Sequence, residues 1–306
     1  GDIAIGGGEA KGEDNEGSGG GAIAIGNSTT ATAEVAVAIG GVSKALAINS
    51  FAAGGAVAQS IAGDSFAFGE STQTRARSSV ALGRELITDG EMSTAFGKAS
   101  KTIGWGSLAQ GFQSTSIGKN SVAMGRNATA NGWYSQALGY NTVANGTSSI
   151  AIGYESRTNG PYALAQGYQS YANGIASIAM GYQAKACGLY SISLGQQNYA
   201  YGKNSLAVGY KSYANTAYSI AIGREVTSVG DTSIAIGRGT VASGESSVAL
   251  GYSTTASGGS STAMGTGTRA SGSFSTAIGC ATRALQSMST AMGIATTATG
   301  YTSTAM

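Results

Sequence analysis

The chain has 306 residues, of which 50 are glycine and one is proline; 17 Lys and Arg stand against 15 Asp and Glu, a net charge of +2. So balanced and sparse a charge gives no field to steer the chain to nucleic acid or an anionic membrane, and it is not the composition of a disordered segment. There is no histidine, which removes His-containing zinc sites, Ser-His or Cys-His nucleophile pairs and histidine general bases.

The remaining signal is a repeat, read here by counting from a glycine that follows a short apolar run and taking that glycine as position 0. In chain order the series opens irregularly, through Gly6, Gly26, Gly40 and Gly54. The step from Gly6 to Gly26 is long, and the Gly- and Glu-rich run over 7–21 is expected to be an inserted surface loop. The step from Gly54 to Gly69 holds one extra residue. From Gly69 to Gly293 the glycine returns every 14 residues without insertion or deletion. A second glycine follows at +7 in most repeats, with Thr216 and Gln286 among the exceptions. Residues 1–68 thus form less regular turns and 69–306 strict ones, in what reads as a single repeat domain over 1–306. The chain opens and closes inside its own pattern, so a fragment of a longer chain is expected.

Fifty glycines exclude a coiled coil, because each costs about 1 kcal/mol in a helix interior. Collagen needs glycine at every third residue with much proline, and the calcium-binding nonapeptide solenoid needs a regular Asp. An all-β solenoid remains, with two short strands per turn and a corner at each glycine. About 22 turns rising roughly 4.8 Å each give a rod on the order of 100 Å. No apolar run is long enough to cross a bilayer as a helix, so no membrane insertion of this segment is expected.

The first strand is predicted over positions −4 to −1. Large apolar residues recur at −1 (Leu82, Met124, Ile152, Leu194) and −3 (Val80, Val122, Ile150, Ile178), and −2 is Ala except at Ser193. Alternation puts the large residues on one face and the Ala row on the other. Neither face carries charge, so both are expected to be covered. The second strand has small residues at +3 and +5 and polar ones at +2, +4 and +6, giving one covered and one wet face. A two-strand coil has one interior, so the other face of the first strand must be covered from outside, most simply by further copies. The pattern admits either face inward. The reading adopted is that the large side chains fill the interior against the small +3 and +5 residues, leaving the Ala row for contact between chains.

Several columns are candidates for partner contact. Tyr140, Tyr154, Tyr168, Tyr182 and Tyr210 share position +1, where Arg126, Arg224 and Arg238 stand in other turns. Stacked 14 apart they form an aromatic and cationic edge, which either braces the coil or meets a partner. Gln110, Gln136 and Gln166 interrupt the large apolar columns and, if buried, need partners along stacked turns or across a threefold axis. Thr262, Thr276, Thr290 and Thr304 at −3, and Thr254, Thr268, Thr282 and Thr296 at +3, read as internal ladders. Cys187 and Cys280 lie more than six turns apart and are expected to be unpaired. No catalytic, metal or cofactor residues are found, and the chain is not read as an enzyme.

The stretches SVAMGRNATANG (121–132), SIAMGYQAKACG (177–188) and SIAIGRGTVASG (233–244) closely resemble the repeat of the head domain of trimeric autotransporter adhesins. That resemblance implies a left-handed parallel β-roll assembled as a trimer on a bacterial surface, binding host cells or matrix proteins such as collagen. Similar rolls occur in phage fibres, so a structural rod of a phage tail fibre or an extracellular filament is the alternative.

Overall fold

A computed structural model describes residues 2–10, 20–54 and 59–306. It is an all-β parallel solenoid of about twenty turns, with no helix among the described residues. Two compact units, Gly1–Glu155 and Ser156–Met306, are built alike, and each is described by itself.

Every regular turn has a long strand over −3 to +1, such as Val122–Arg126 or Ile178–Tyr182, and a short one over +4 and +5, such as Thr129–Ala130 or Lys185–Ala186. In the first unit the long strands run from Ile3–Ile5 to Ile150–Tyr154, and in the second from Leu164–Tyr168 to Thr304–Ala305. Each pairs in parallel, in register, with its counterpart one turn on: Val122 faces Gln136, and Ile178 faces Ile192. Identical positions therefore stack into columns.

The first strand is displaced from its expected limits, because it runs through the glycine at 0 instead of ending there. The chain bends instead at +2 and +9, where non-glycine residues take left-handed backbone angles: Asn127 has φ 54° and Tyr134 φ 58° in the first unit, Gln183 and Tyr190 φ 54° and 56° in the second. Such angles are uncommon for residues with a Cβ. Here the amide of each bend residue donates to the previous turn, Asn127 to the Phe112 carbonyl at 2.9 Å and Tyr134 to that of Lys119 at 2.8 Å. The hydrogen-bond ladder thus continues round both corners.

Glycine at 0 and +7 answers a different demand, the close approach of stacked turns. Gly125 has φ +130°, and a Cβ on it would overlap the carbonyl oxygen of Gly139 in the next turn. A Cβ on Gly118 at +7 would likewise meet the Gly132 carbonyl.

The interior is narrow. It holds Ser at −4, Ala at −2 and small residues at +3 and +5; Ala123, Ala137, Ala179 and Ala221 are wholly buried. The largest fully buried side chains are Leu86, Val226 and Asn198, all at +3. Buried serines at −4 tie the second bend down: Ser121 donates to the Gly118 carbonyl at 2.6 Å, and Ser233 to that of Gly230 at 2.6 Å.

This reverses the expected facing of the first strand. The Ala row fills the coil, and the large residues at −3 and −1 point outward, half-buried or exposed. A core that admits mainly Ala, Ser and Thr has no room for two columns of Ile, Leu and Met. The −3 threonines Thr262, Thr276 and Thr290 accordingly lie on the outer face and are not internal, whereas Thr254, Thr268 and Thr282 at +3 are buried as expected.

The insertion expected over 7–21 is shorter than that. Glu9–Ala10 is already a strand, paired with Thr30–Ala31, and Ile23–Ile25 resumes the next turn. The rest of that expectation, over 11–19, lies outside the described residues. Lys44 pairs with Gln59, so the extra residue after Gly54 falls among 55–58, also outside them.

Stacking predicts a sharp positional contrast. Gly125→Ala should cost about 1–3 kcal/mol from strain and overlap and lower the unfolding temperature followed by circular dichroism. Gly259→Ala, where a Cβ meets nothing closer than the Ser273 hydroxyl at 4.0 Å, should leave it unchanged. Equal behaviour of the two variants would contradict the packing described.

Candidate functional site

Because −3, −1 and +1 alternate to the same side of the long strand, the outer face carries three parallel columns in each unit. Two are apolar. In the first unit they include Val122, Met124, Leu138, Ile150 and Ile152; in the second Ile178, Met180, Leu194, Ile220 and Ile222. The columns remain partly open to solvent: Ile236 is 37% exposed, Met292 38% and Phe68 51%.

The third column is the aromatic and cationic edge. In the first unit Tyr140 and Tyr154 stack with ring centroids 4.9 Å apart and 7° between planes. Arg126 sits between two rings, 5.5 Å from Phe112 and 5.6 Å from Tyr140. In the second unit Tyr168 and Tyr182 stack at 5.0 Å. There Arg224 lies 5.8 Å from the Tyr210 ring and Arg238 5.5 Å from Tyr252. All eight expected edge residues thus occupy one column type, and within each unit neighbouring members brace one another through stacking and cation–π contacts. Tyr154, Tyr168 and Tyr182 keep about 40% of their surface open, so bracing leaves an available contact edge.

Gln110 and Gln166 stand at −1, and Gln136 at −3. All three point outward and are exposed in the single chain. They break the apolar columns of the outer face, between Phe96 and Met124 for Gln110 and between Val122 and Ile150 for Gln136.

The wet face expected of the short strand carries side-chain ladders that recurrence at +2, +4 and +6 did not by itself reveal. In the second unit Gln183 donates to Gln169 at 2.9 Å and Gln197 to Gln183 at 3.2 Å, an amide ladder at +2. Asn159 donates to Asn173 at 3.1 Å, Tyr199 stacks on Tyr213 at 5.1 Å, and Lys185 lies 5.1 Å from the Tyr199 ring. In the first unit Asn127 donates to Asn141 at 2.9 Å and Asn131 to Asn145 at 2.7 Å. The signal that could have found these ladders is the return of Gln or Asn at 14-residue spacing. Among the described residues no group of three His, Cys, Asp or Glu side chains converges as a metal site would require.

With this geometry set out, comparison with family models is decisive: the YadA head domain repeat matches residues 18–43, 103–156, 159–225, 228–254, 256–279 and 287–306. The chain belongs to the YadA head family. The comparison with curated proteins gave no match. YadA head repeats come from surface-exposed, trimeric adhesins, and neither that family nor a β-solenoid of this kind is enzyme-like. The apolar columns and their Tyr and Arg border are thus features of an adhesin-type head, and the family is a homo-oligomeric one.

Cys187 and Cys280 are both unpaired. Burial pushes the Cys187 thiol up, opposed in part by the positive charge of Lys185. A raised pKa means less thiolate at neutral pH. Iodoacetamide should therefore modify Cys187 more slowly than a free cysteine at pH 7.5, the gap narrowing as pH rises, in peptide-resolved mass spectrometry. Labelling at the free-cysteine rate at pH 7.5 would contradict this burial.

Proposed function

We propose that this chain is the head of an extracellular adhesin on a bacterial surface, a homotrimer that binds host cells or extracellular-matrix proteins through the outer surface of its turns. Family membership over more than half of the chain is the observation that carries the reading. The outward columns support the trimer. A sheet face of Val, Ile, Leu and Met left against water is an interaction surface by composition, and three copies that turn this face toward a common axis cover it. Gln110, Gln136 and Gln166 would then meet their counterparts across the axis, where polar side chains in an apolar seam fix register.

The Tyr and Arg edge borders that face. Tyr and Arg are the residue types that dominate binding hot spots, and the edge is proposed as the contact with a neighbouring chain or a ligand. Surface plasmon resonance over immobilised collagen, other matrix proteins and fixed host cells tests the adhesin reading. Saturable binding is expected, and no retention on any of these surfaces would overturn it. Replacing Tyr154, Tyr168 and Tyr182 together by Ser should weaken either this binding or assembly by about tenfold, the scale of one to two kcal/mol. Unchanged binding and unchanged assembly would remove the edge from the account.

A further inference from the structure

The charge of the chain is unevenly placed. After Glu245 the sequence contains no Asp or Glu, yet it contains Arg269 and Arg283. Both stand at +4 on the outer side of the short strands, on adjacent turns, in direct register, and both are exposed. Arg75, Arg77, Arg84 and Arg224 reach carboxylates, and Arg126 and Arg238 lie over rings. Arg269 donates through Nε to the Ser271 hydroxyl at 2.9 Å, a neutral partner. Like charges in facing register repel, so the pair is uncompensated within its unit.

The surface beside the pair is also open. At +2, where other turns of this unit carry the Gln169, Gln183 and Gln197 amides, these turns carry Gly267 and Ala281. A Cβ on Gly267 would meet nothing closer than 4.0 Å, so tight packing does not demand glycine there. With no side chain at Gly267 and only a methyl at Ala281, the surface holds a shallow cleft of about 450 Å³ whose lining includes Ser253, Thr255, Arg269, Arg283 and Leu285. Two guanidinium forks and two hydroxyl-bearing side chains thus face one space, with no carboxylate to quench them.

We infer that the cleft at Arg269 and Arg283 binds the sulfate or carboxylate groups of an acidic polysaccharide. Guanidinium matches both oxyanions through bidentate hydrogen bonds. An exposed single ion pair is weak, so a free anion would be held poorly, whereas a polymer engages both arginines at once and gains from multivalency. Ser253 and Thr255 offer partners to sugar hydroxyls. The cleft has no aromatic ring on which a base would stack, as single-stranded nucleic acid binding uses. This inference rests on the adhesin reading only in treating the surface as a contact surface, and it adds a partner class.

The test is calorimetric titration of the whole chain with heparin, chemically desulfated heparin, sodium sulfate and a duplex DNA of similar length. Heparin should bind, desulfated heparin at least about tenfold more weakly, and sulfate only at high concentration. Arg269→Ser with Arg283→Ser should weaken heparin about tenfold or more. Arg269→Lys with Arg283→Lys should recover part of it, and Arg77→Ser, an exposed arginine elsewhere, should have little effect. Unfolding curves check that each variant is folded. The inference falls if heparin does not bind, if the Ser pair leaves binding unchanged, if Arg77→Ser weakens it equally, or if DNA binds as tightly through the same arginines. Retention on matrix proteins with no heparin binding would keep the adhesin reading while removing the polysaccharide. Heparin binding without retention on matrix or cells would do the reverse.

Discussion

The close stacking of successive turns is the constraint on which the other features depend. Gly125 approaches the carbonyl of the next turn so nearly that no Cβ fits, and Gly118 does the same at the second column. The coil that these stacked turns enclose is narrow. Ala, Ser and Thr fill it, and the large apolar residues are forced outward because the interior offers them no volume.

Outward placement then sets the association problem. Fully burying one Val, Leu, Ile or Met side chain is worth about 1.5–3 kcal/mol, and in the single chain the −3 and −1 columns realise only part of that. One or two such side chains return on most turns of both units. A surface that accumulates this regularly favours association, which ordered alignment of identical columns can satisfy along its length. The Tyr and Arg column at the border, braced within itself by stacking and cation–π contacts, adds large, stiff side chains where the apolar seam meets water.

Much of this was legible in the sequence. The 14-residue period, the two glycine columns, the small +3 and +5 residues and the +1 edge all follow from recurrence alone, because parallel in-register stacking turns spacing directly into columns. The facing of the first strand was misread, since alternating Ala and Ile defines two faces without saying which is inside. Interior width decides it, and that width shows only in which side chains the folded coil buries, chiefly Ala, Ser and Thr. The bends were misplaced by two residues for a related reason. Asn127, Tyr134, Gln183 and Tyr190 take left-handed angles without any turn signature shared among them, because the inter-turn hydrogen bonds hold them there. Arg269 and Arg283 recur 14 residues apart in a stretch without Asp or Glu, but that they line one open cleft is a spatial fact.

The most direct test of the central claim, that the narrow coil turns an apolar face outward for other copies to cover, is the mass of the chain in solution by size-exclusion chromatography with light scattering at micromolar concentration. The account predicts about three times the 30.1 kDa of a single chain. A stable species of 30.1 kDa, with the outer columns left against water, would contradict it.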